Sequence, residues 1–348
     1  MLSPAFLSQL RRLLPPHSVL HEREDLLPFE SDGLSAYRNI PDVVVLPDNE
    51  AQVAAILQLC HAEKIAVVAR GAGTGLAAGA LPIDGAVLLV LAKLNQIKAI
   101  DPLARTATVQ PGVRNLAISE AAAAHGLYYA PDPSSQIACS IGGNVAENSG
   151  GVHCLKYGLT VHNILKLRAW TIDGQLLEIG SDALDSPGYD LLALMTGSEG
   201  MLAVITEITV KLLPRPERAQ VVLAAFDDVA KAGAAVGNII AAGVIPAGLE
   251  MMDRLAIQAA VDLPCVGDWV CAQWPSSGGP AIIHEVLPRK TFLRRKCPGD
   301  SVDFQIGRLV FANALAEETA DVIYIDLLYA CMGQDSNGGK RGPQYQSG

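Results

Sequence analysis

The chain has 348 residues, half of them apolar, with a formal net charge of −10 and seven cysteines. That length suits two domains with well-packed cores, and the acidic balance argues against a nucleic-acid surface, which draws on clustered Lys and Arg. The odd number and irregular spacing of the cysteines argue against a disulfide framework, and no apolar run approaches the roughly 18 residues of a membrane span.

Met1-Leu2-Ser3-Pro4-Ala5-Phe6-Leu7 leads into Arg11-Arg12 without an apolar core of signal-peptide length. A soluble cytoplasmic protein is expected, able to sit at the inner face of a membrane through partners. The basic cluster of Arg289-Lys290 and Arg294-Arg295-Lys296 reads as a solvated face.

Residues 3–14 carry Leu and Phe at helical spacing, and the chain to about residue 40 is a mixed lead-in. From Pro41 onward strands and helices alternate. Val43-Val44-Val45-Leu46 predicts a strand; Asp48 or Asn49 can cap the next helix, whose Val53, Ile56, Leu57 and Cys60 recur at helical spacing. A strand over 65–69 empties into Arg70-Gly71-Ala72-Gly73-Thr74-Gly75-Leu76, continued by Ala77, Ala78, Gly79 and Ala80. Residues 87–91 and 107–109 are further strands. An Ala-rich helix over 115–125 stops at Gly126.

A second small-residue segment then runs from Pro131-Asp132-Pro133-Ser134-Ser135-Gln136 through Ser140-Ile141-Gly142-Gly143-Asn144-Val145-Ala146-Glu147-Asn148-Ser149-Gly150-Gly151 to Tyr157-Gly158. Strands over 164–172 and 175–179 form a hairpin across Asp173-Gly174. Gly197-Ser198-Glu199-Gly200 is a third Gly-rich element and leads into a strand-like alternation over 201–210. Two prolines in Leu213-Pro214-Arg215-Pro216 close the first domain. A strand over 221–226, a helix over 227–242, a strand over 247–251 and a helix from Asp253 begin a second unit.

A strand that empties into glycines and alanines brings bare backbone N–H groups close to a ligand, and such a nest suits a pyrophosphate. The spacing is not that of a Rossmann fingerprint. Counting from Gly71, the position that should be Gly or Ala is Leu76, and the chain runs into Pro82 instead of a helix. Nor does Gly-Lys-Ser/Thr follow, so a Walker-type loop fails as well. Three Gly-rich segments, each beside a strand, describe a long ligand threaded between stretches of backbone.

Their ordered combination resembles the FAD-binding domain of the vanillyl-alcohol oxidase and p-cresol methylhydroxylase family. Glu30-Ser31-Asp32-Gly33-Leu34-Ser35-Ala36-Tyr37 and Leu249-Glu250-Met251-Met252-Asp253-Arg254 are similar to its glycolate oxidase D-subunit branch, with FAD-linked D-lactate dehydrogenases as relatives. The likeness spans roughly residues 20–261. It implies an α+β fold: a lead-in over 1–40, a two-subdomain FAD-binding domain over 41–216, and the first half of an α+β cap domain over 217–261. Residues 262–348 depart from the family. They carry Cys265, Cys271, Cys297 and Cys331, end in a Gly-, Ser- and Gln-rich stretch expected to be disordered, and suggest a frameshift or truncation.

The resemblance implies noncovalent FAD. Gly71, Ala72, Gly73, Thr74, Gly75, Leu76 and Gly79 would hold its pyrophosphate through backbone N–H groups, with Arg70 bracing the loop. Thr74 stands where some relatives carry the His that bonds flavin covalently. Pro131, Asp132, Ser140, Gly142, Gly143 and Asn144 would follow the ribityl chain and isoalloxazine, while Asn148, Gly150 and Gly151 keep the backbone tight. Tyr157 and Gly158 close that segment. Glu199, Gly200 and Ile205 would meet the adenosine end and the flavin edge. Each also has a plainer role: Glu199 as a cap, Gly142 or Gly143 in helix packing, Tyr157 as a packing residue.

The implied reaction is oxidation of glycolate or a small D-2-hydroxy acid, with electrons passed to a second flavin-binding subunit and an iron–sulfur subunit. FAD-dependent D-lactate or D-2-hydroxyglutarate dehydrogenase and a flavin-binding chain without activity remain open. Relatives place the base and carboxylate-binding groups in a His-x-Gly-Asp-Gly-Asn-Leu-His-like motif of the later cap, often around a divalent metal. This sequence has no such motif. His153, His162 and His284 do not supply it, so no catalytic base and no metal ligand is assigned.

Overall fold

A computed structural model describes residues 2–181, 188–253, 270–273, 282–286 and 321–329. The chain forms two compact units, one running up to Ala219 and the other beginning at Gln220. The first unit contains two layers, each built on its own sheet.

Helix α1 (Pro4–Leu13) starts at Ser3, whose Oγ accepts a hydrogen bond from the Phe6 N–H at 3.2 Å. Its Phe6 and Leu10 are fully buried among Val43, Val45, Ile56 and Val87. The expected lead-in therefore belongs to the first core. Strand β1 (Val19–Leu20), the short helix α2 (Arg23–Leu26), strand β2 (Val43–Val45) and helix α3 (Glu50–Ala62) follow, then strands β3 (Val67–Arg70) and β4 (Val87–Val90). Asn49 caps α3 by accepting from the Gln52 N–H at 3.0 Å. The sheet order is β1-β2-β4-β3, with β4 parallel to both β2 and β3. A central strand covered on both faces needs an unbroken apolar run, which Val87-Leu88-Leu89-Val90 provides.

The second layer holds strands β5 (Ile97–Asp101) and β6 (Thr106–Val109), helix α4 (Asn115–Ala122), strand β7 (Leu127–Tyr128), helices α5 (Ile141–Glu147) and α6 (Cys154–Tyr157), strands β8 (Ile164–Trp170) and β9 (Leu176–Gly180), helix α7 (Leu191–Met195), and strands β10 (Val204–Lys211) and β11 (Leu213–Pro214). Five of these strands form the antiparallel order β5-β6-β10-β8-β9. Gly126 ends the α4 region in the left-handed conformation, φ 66°, as its sequence position implies. Leu213-Pro214, the expected domain closure, pairs with Tyr128-Leu127 as a two-residue strand. A proline is tolerated there because a strand so short has few ladder bonds to lose.

Glu50 is among the side chains that join the layers. Glu50, in the first turn of α3, accepts hydrogen bonds on one carboxylate oxygen from Trp170 Nε1 (2.7 Å), Arg168 Nε (2.8 Å) and Thr206 Oγ1 (2.9 Å). Burial raises its pKa, but the bonds from Trp170, Thr206 and Arg168 outweigh that and hold the carboxyl below its ordinary value.

The second unit has strand β12 (Arg218–Phe226), helix α8 (Val229–Ala241), and strands β13 (Gly248–Met252), β14 (Val270–Gln273), β15 (Ile282–Val286) and β16 (Asp321–Tyr329). The sheet order is β12-β16-β13, and β14 pairs with β15. Asp228 caps α8 by accepting from the Ala230 N–H at 2.8 Å. Ala232 is buried with Phe226, Val236 and Leu249 around it. The helix expected from Asp253, and the tail outside the three strands β14, β15 and β16, lie outside the described residues.

Candidate functional site

The three Gly-rich segments meet in an open cleft within the first unit. The loop after β3 is held from below by Arg70, which is 8% exposed and donates from Nη1 to the Ser31 carbonyl (2.8 Å) and the Ala80 carbonyl (3.4 Å). Its guanidinium also lies 5.7 Å from the centroid of the Phe29 ring. Gly73 sits directly over that guanidinium at φ 69°, where any side chain would collide with Arg70. Arg70 thus ties the loop to the Ser31 and Ala80 carbonyls.

The second segment departs from the expected loop. Residues Ile141–Glu147 form helix α5, entered through Ser140 in extended backbone. Two glycines would not nucleate a helix, but the burial of Ile141 and Val145 in the second core supplies what propensity lacks. The Ser140 hydroxyl does not cap this helix; it accepts instead from the Ala72 N–H at 3.3 Å, fastening α5 to the first loop. Gly71 lies against that hydroxyl so closely that a Cβ would collide with it, and a Cβ on Gly142 would fall 2.5 Å from Pro111 Cβ. The third segment docks on the same helix, with the Gly197 N–H donating to the Val145 carbonyl and the Glu199 N–H to the Ala146 carbonyl, both at 2.8 Å.

Gly71 through Gly75 and Gly79 line the cleft from the first segment. Ser140, Gly142, Gly143 and Asn144 line it from the second, and Glu199, Gly200 and Ile205 from the third. Leu76 points to solvent at 72% exposure. The remaining expected residues brace the second segment without lining the cleft. The Pro131 carbonyl accepts from Asn115 Nδ2 (3.1 Å). Asp132 pairs with His153 at 2.6 Å, and Gly151 packs on Asp132. Asn148 ends α5 at φ 52°, its Oδ1 accepting from the Val161 N–H (3.0 Å). Gly150 packs against Cys154 and Leu159, Gly158 against His162, and Tyr157 meets Tyr128 edge-to-face at 6.3 Å.

Residues not singled out as ligands also line the cleft, among them Asp32, Pro111, Cys139 and Glu147. Asp32 is 8% exposed; its Oδ1 accepts from the Leu34 N–H at 2.8 Å, while its Oδ2 has no hydrogen-bond partner. Glu147 stands beside Gly75 and Gly79, with Glu199 facing Gly79 as well. Burial first, then the charges of Glu199 and Asp32, push the Glu147 carboxyl above its ordinary pKa. Neither His153 nor His162 lines the cleft, and among the described residues no group of three or more His, Cys, Asp or Glu is placed to hold a metal. Among the described residues the cleft is lined mainly by small residues, with Asp32, Glu147, Glu199 and Arg70, and by no histidine.

Comparison with known proteins gives this geometry a family. Residues 41–180 match the family described as FAD binding domain, and residues 215–291 match FAD linked oxidases, C-terminal domain. The second match continues past residue 261, where the motif-by-motif resemblance stops. The chain is 66% identical over 256 residues to "Glycolate oxidase subunit GlcD" of Escherichia coli (strain K12), covering 74% of this chain and 51% of that relative. It is 35% identical over 217 residues to "D-2-hydroxyglutarate dehydrogenase" of Stutzerimonas stutzeri (strain A1501), covering 62% of this chain and 47% of the relative. A solved structure of p-cresol methylhydroxylase with substrate bound superposes with a TM-score of 0.68 at 18% identity, over 94% of this chain and 61% of the other. The chain spans about half the length of the curated relatives it matches.

The cleft fits FAD. Gly71, Gly73 and Gly75 line the cleft, and their missing side chains let the loop pack closely on Ser140, Arg70 and Glu147 so that its backbone forms the cleft wall. Asn144, 2% exposed, keeps a buried Nδ2 without a partner, a donor left over by the protein's own hydrogen bonds.

Proposed function

Because the chain belongs to the FAD-linked oxidase family, we propose that it is the FAD-binding part of an enzyme oxidising glycolate or a small D-2-hydroxy acid. The observation that supports this most is the convergence of three small-residue segments on one cleft, in a chain 66% identical over 256 residues to a glycolate oxidase subunit. Bound flavin supplies the acceptor for the substrate hydride. The chain's own residues bind and orient it: the loop after β3 offers amides to the pyrophosphate, Arg70 keeps that loop in place, and Ser140 ties it to α5. Asn144 donates to the flavin-bearing half, and Glu199 with Gly200 closes the adenosine end. Thr74 offers no nitrogen for a flavin bond, so the cofactor is held noncovalently.

The substrate-binding cation and the proton acceptor belong to the cap, of which residues 217–253 carry the first strands and helix. Electrons pass on to a second flavin-binding subunit and an iron–sulfur subunit. Among the described residues no helix is long and apolar enough to cross a membrane, and association with one is assigned to those partners. The relative from Stutzerimonas stutzeri favours a second substrate, D-2-hydroxyglutarate, with D-lactate in the same chemical class.

Anaerobic addition of glycolate, D-lactate and D-2-hydroxyglutarate to the FAD-loaded chain tests the assignment. Bleaching of the flavin band by glycolate ahead of the others is the expected result. A flavin that stays oxidised with all three refutes catalysis by this chain and leaves only binding.

A further inference from the structure

Three carboxylates surround the glycines assigned to the pyrophosphate. Glu147 Oε1 lies 3.0 Å from the point a Cβ would occupy on Gly75 and 3.5 Å from that point on Gly79, where Glu199 Oε2 stands at 3.2 Å. The third is Asp32, nine-tenths buried, with its Oδ2 unpartnered in the same cleft. Among the described residues Arg70 is the one cation lining the cleft, and its Nη1 is committed to the Ser31 and Ala80 carbonyls. An anion entering here meets like charges in a partly desolvated site, which costs affinity unless one of them is neutralised.

We propose that Glu147 is a further cofactor-binding residue, protonated when the dinucleotide is bound and donating a hydrogen bond to a pyrophosphate oxygen. The inference rests on the FAD assignment. Solvent supplies the proton, which converts the carboxylate from an acceptor that repels phosphate into a donor that engages it. Geometry selects Glu147 over its neighbours. Both Glu147 and Glu199 are exposed, but Glu147 lies against both Gly75 and Gly79 whereas Glu199 meets only Gly79, and Asp32 already accepts from the Leu34 N–H. The groups facing it are Asp32 from the segment before β2, Arg70 from β3, and Glu199 from the third loop; α5 carries no other charge. Two of its three charged neighbours are anions, and its pKa is already raised in the free protein.

The test is a titration of the full-length apoprotein with FAD across about pH 5–9, with calorimetry in two buffers of different ionisation enthalpy to count protons. The wild type is expected to take up close to one proton at neutral pH. Its Kd should rise with pH by up to tenfold per unit once Glu147 ionises in the free protein. Glu147→Gln, neutral and a hydrogen-bond donor, should bind at every pH as the wild type does in acid, with no proton uptake. Glu199→Gln removes one of the repelling charges and should move the weakening to lower pH.

Binding by the wild type that is flat with pH overturns the inference, as does a Glu147→Gln variant weakened at every pH, which marks an ionised acceptor instead. Either leaves the FAD assignment standing. Absence of FAD binding at any pH sinks both. Proton counting on the wild type decides the matter even if the Gln variant does not fold.

Discussion

Replacing Gly142 with Ala tests whether helix α5 is positioned by contact with its neighbours. The new Cβ would lie 2.5 Å from Pro111 Cβ and 3.1 Å from both Pro111 Cα and its carbonyl oxygen. Ordinary carbon contacts sit at about 3.5–4.0 Å, so helix and loop must part by about 1 Å. Pro111 offers ring and backbone atoms, with no flexible end to swing aside. Overpacking of this kind costs about 1–3 kcal/mol, and the better helix propensity of Ala returns at most about 1 kcal/mol. A net loss of about 1–2 kcal/mol is expected, lowering Tm by roughly 2–8 °C for a unit of this size. FAD affinity should fall with it, because Gly143 and Asn144 move with the helix.

Gly237→Ala is the matched control. Gly237 lies in α8 with nothing within 4 Å of its missing Cβ, so the same change should stabilise by about 0.5–1 kcal/mol. Thermal unfolding and FAD titration of both variants read the contrast. A Gly142→Ala protein as stable as wild type and with unchanged FAD affinity would refute the packing argument.

Glu50→Gln should loosen the two layers of the first unit by about 1–3 kcal/mol, read by chemical denaturation at neutral pH, since three donors lose a charged acceptor. The folded carboxyl is held below its unfolded value, so its contribution is complete above about pH 5 and drains away as pH falls through the folded value; the Gln variant should lack that part of the acid slope. The Cys60 thiol is fully buried and pushed up to about 12 by burial; in the native protein it should resist thiol reagents at pH 8 and react only on unfolding, as peptide mapping of the labelled chain will show.

Most of the first unit is legible in the sequence because its elements obey local rules. Asn49, Gly126 and Gly174 stand where the cap and turn chemistry places them, and the runs Val43-Val44-Val45 and Val87-Leu88-Leu89-Val90 are strands in the structure. What local rules miss is decided at a distance. β5 is half exposed and mixes Lys98 and Asp101 into its ladder, so neither alternation nor an apolar run announces it. Helix α5 has the composition of a loop and becomes helical only because Ile141 and Val145 find the second core.

The same division holds in the cleft. Its glycine segments show in the sequence as clusters, but Asp32 reaches the cleft from the segment before β2, and Glu147 shows no partner until the third loop places Glu199 opposite it. Leu76 follows the glycine run with its side chain exposed and is not among the residues that line the cleft. Asp132, Gly151 and Tyr157 belong to the segment's own bracing.

The most direct test of the bound coenzyme is the visible spectrum of the purified chain before and after acid precipitation. A flavin band near about 450 nm that passes entirely into the acid supernatant is the expected result. A colourless protein that gains no such band on incubation with FAD, or yellow colour that stays with the pellet, would contradict a cleft that holds the cofactor noncovalently.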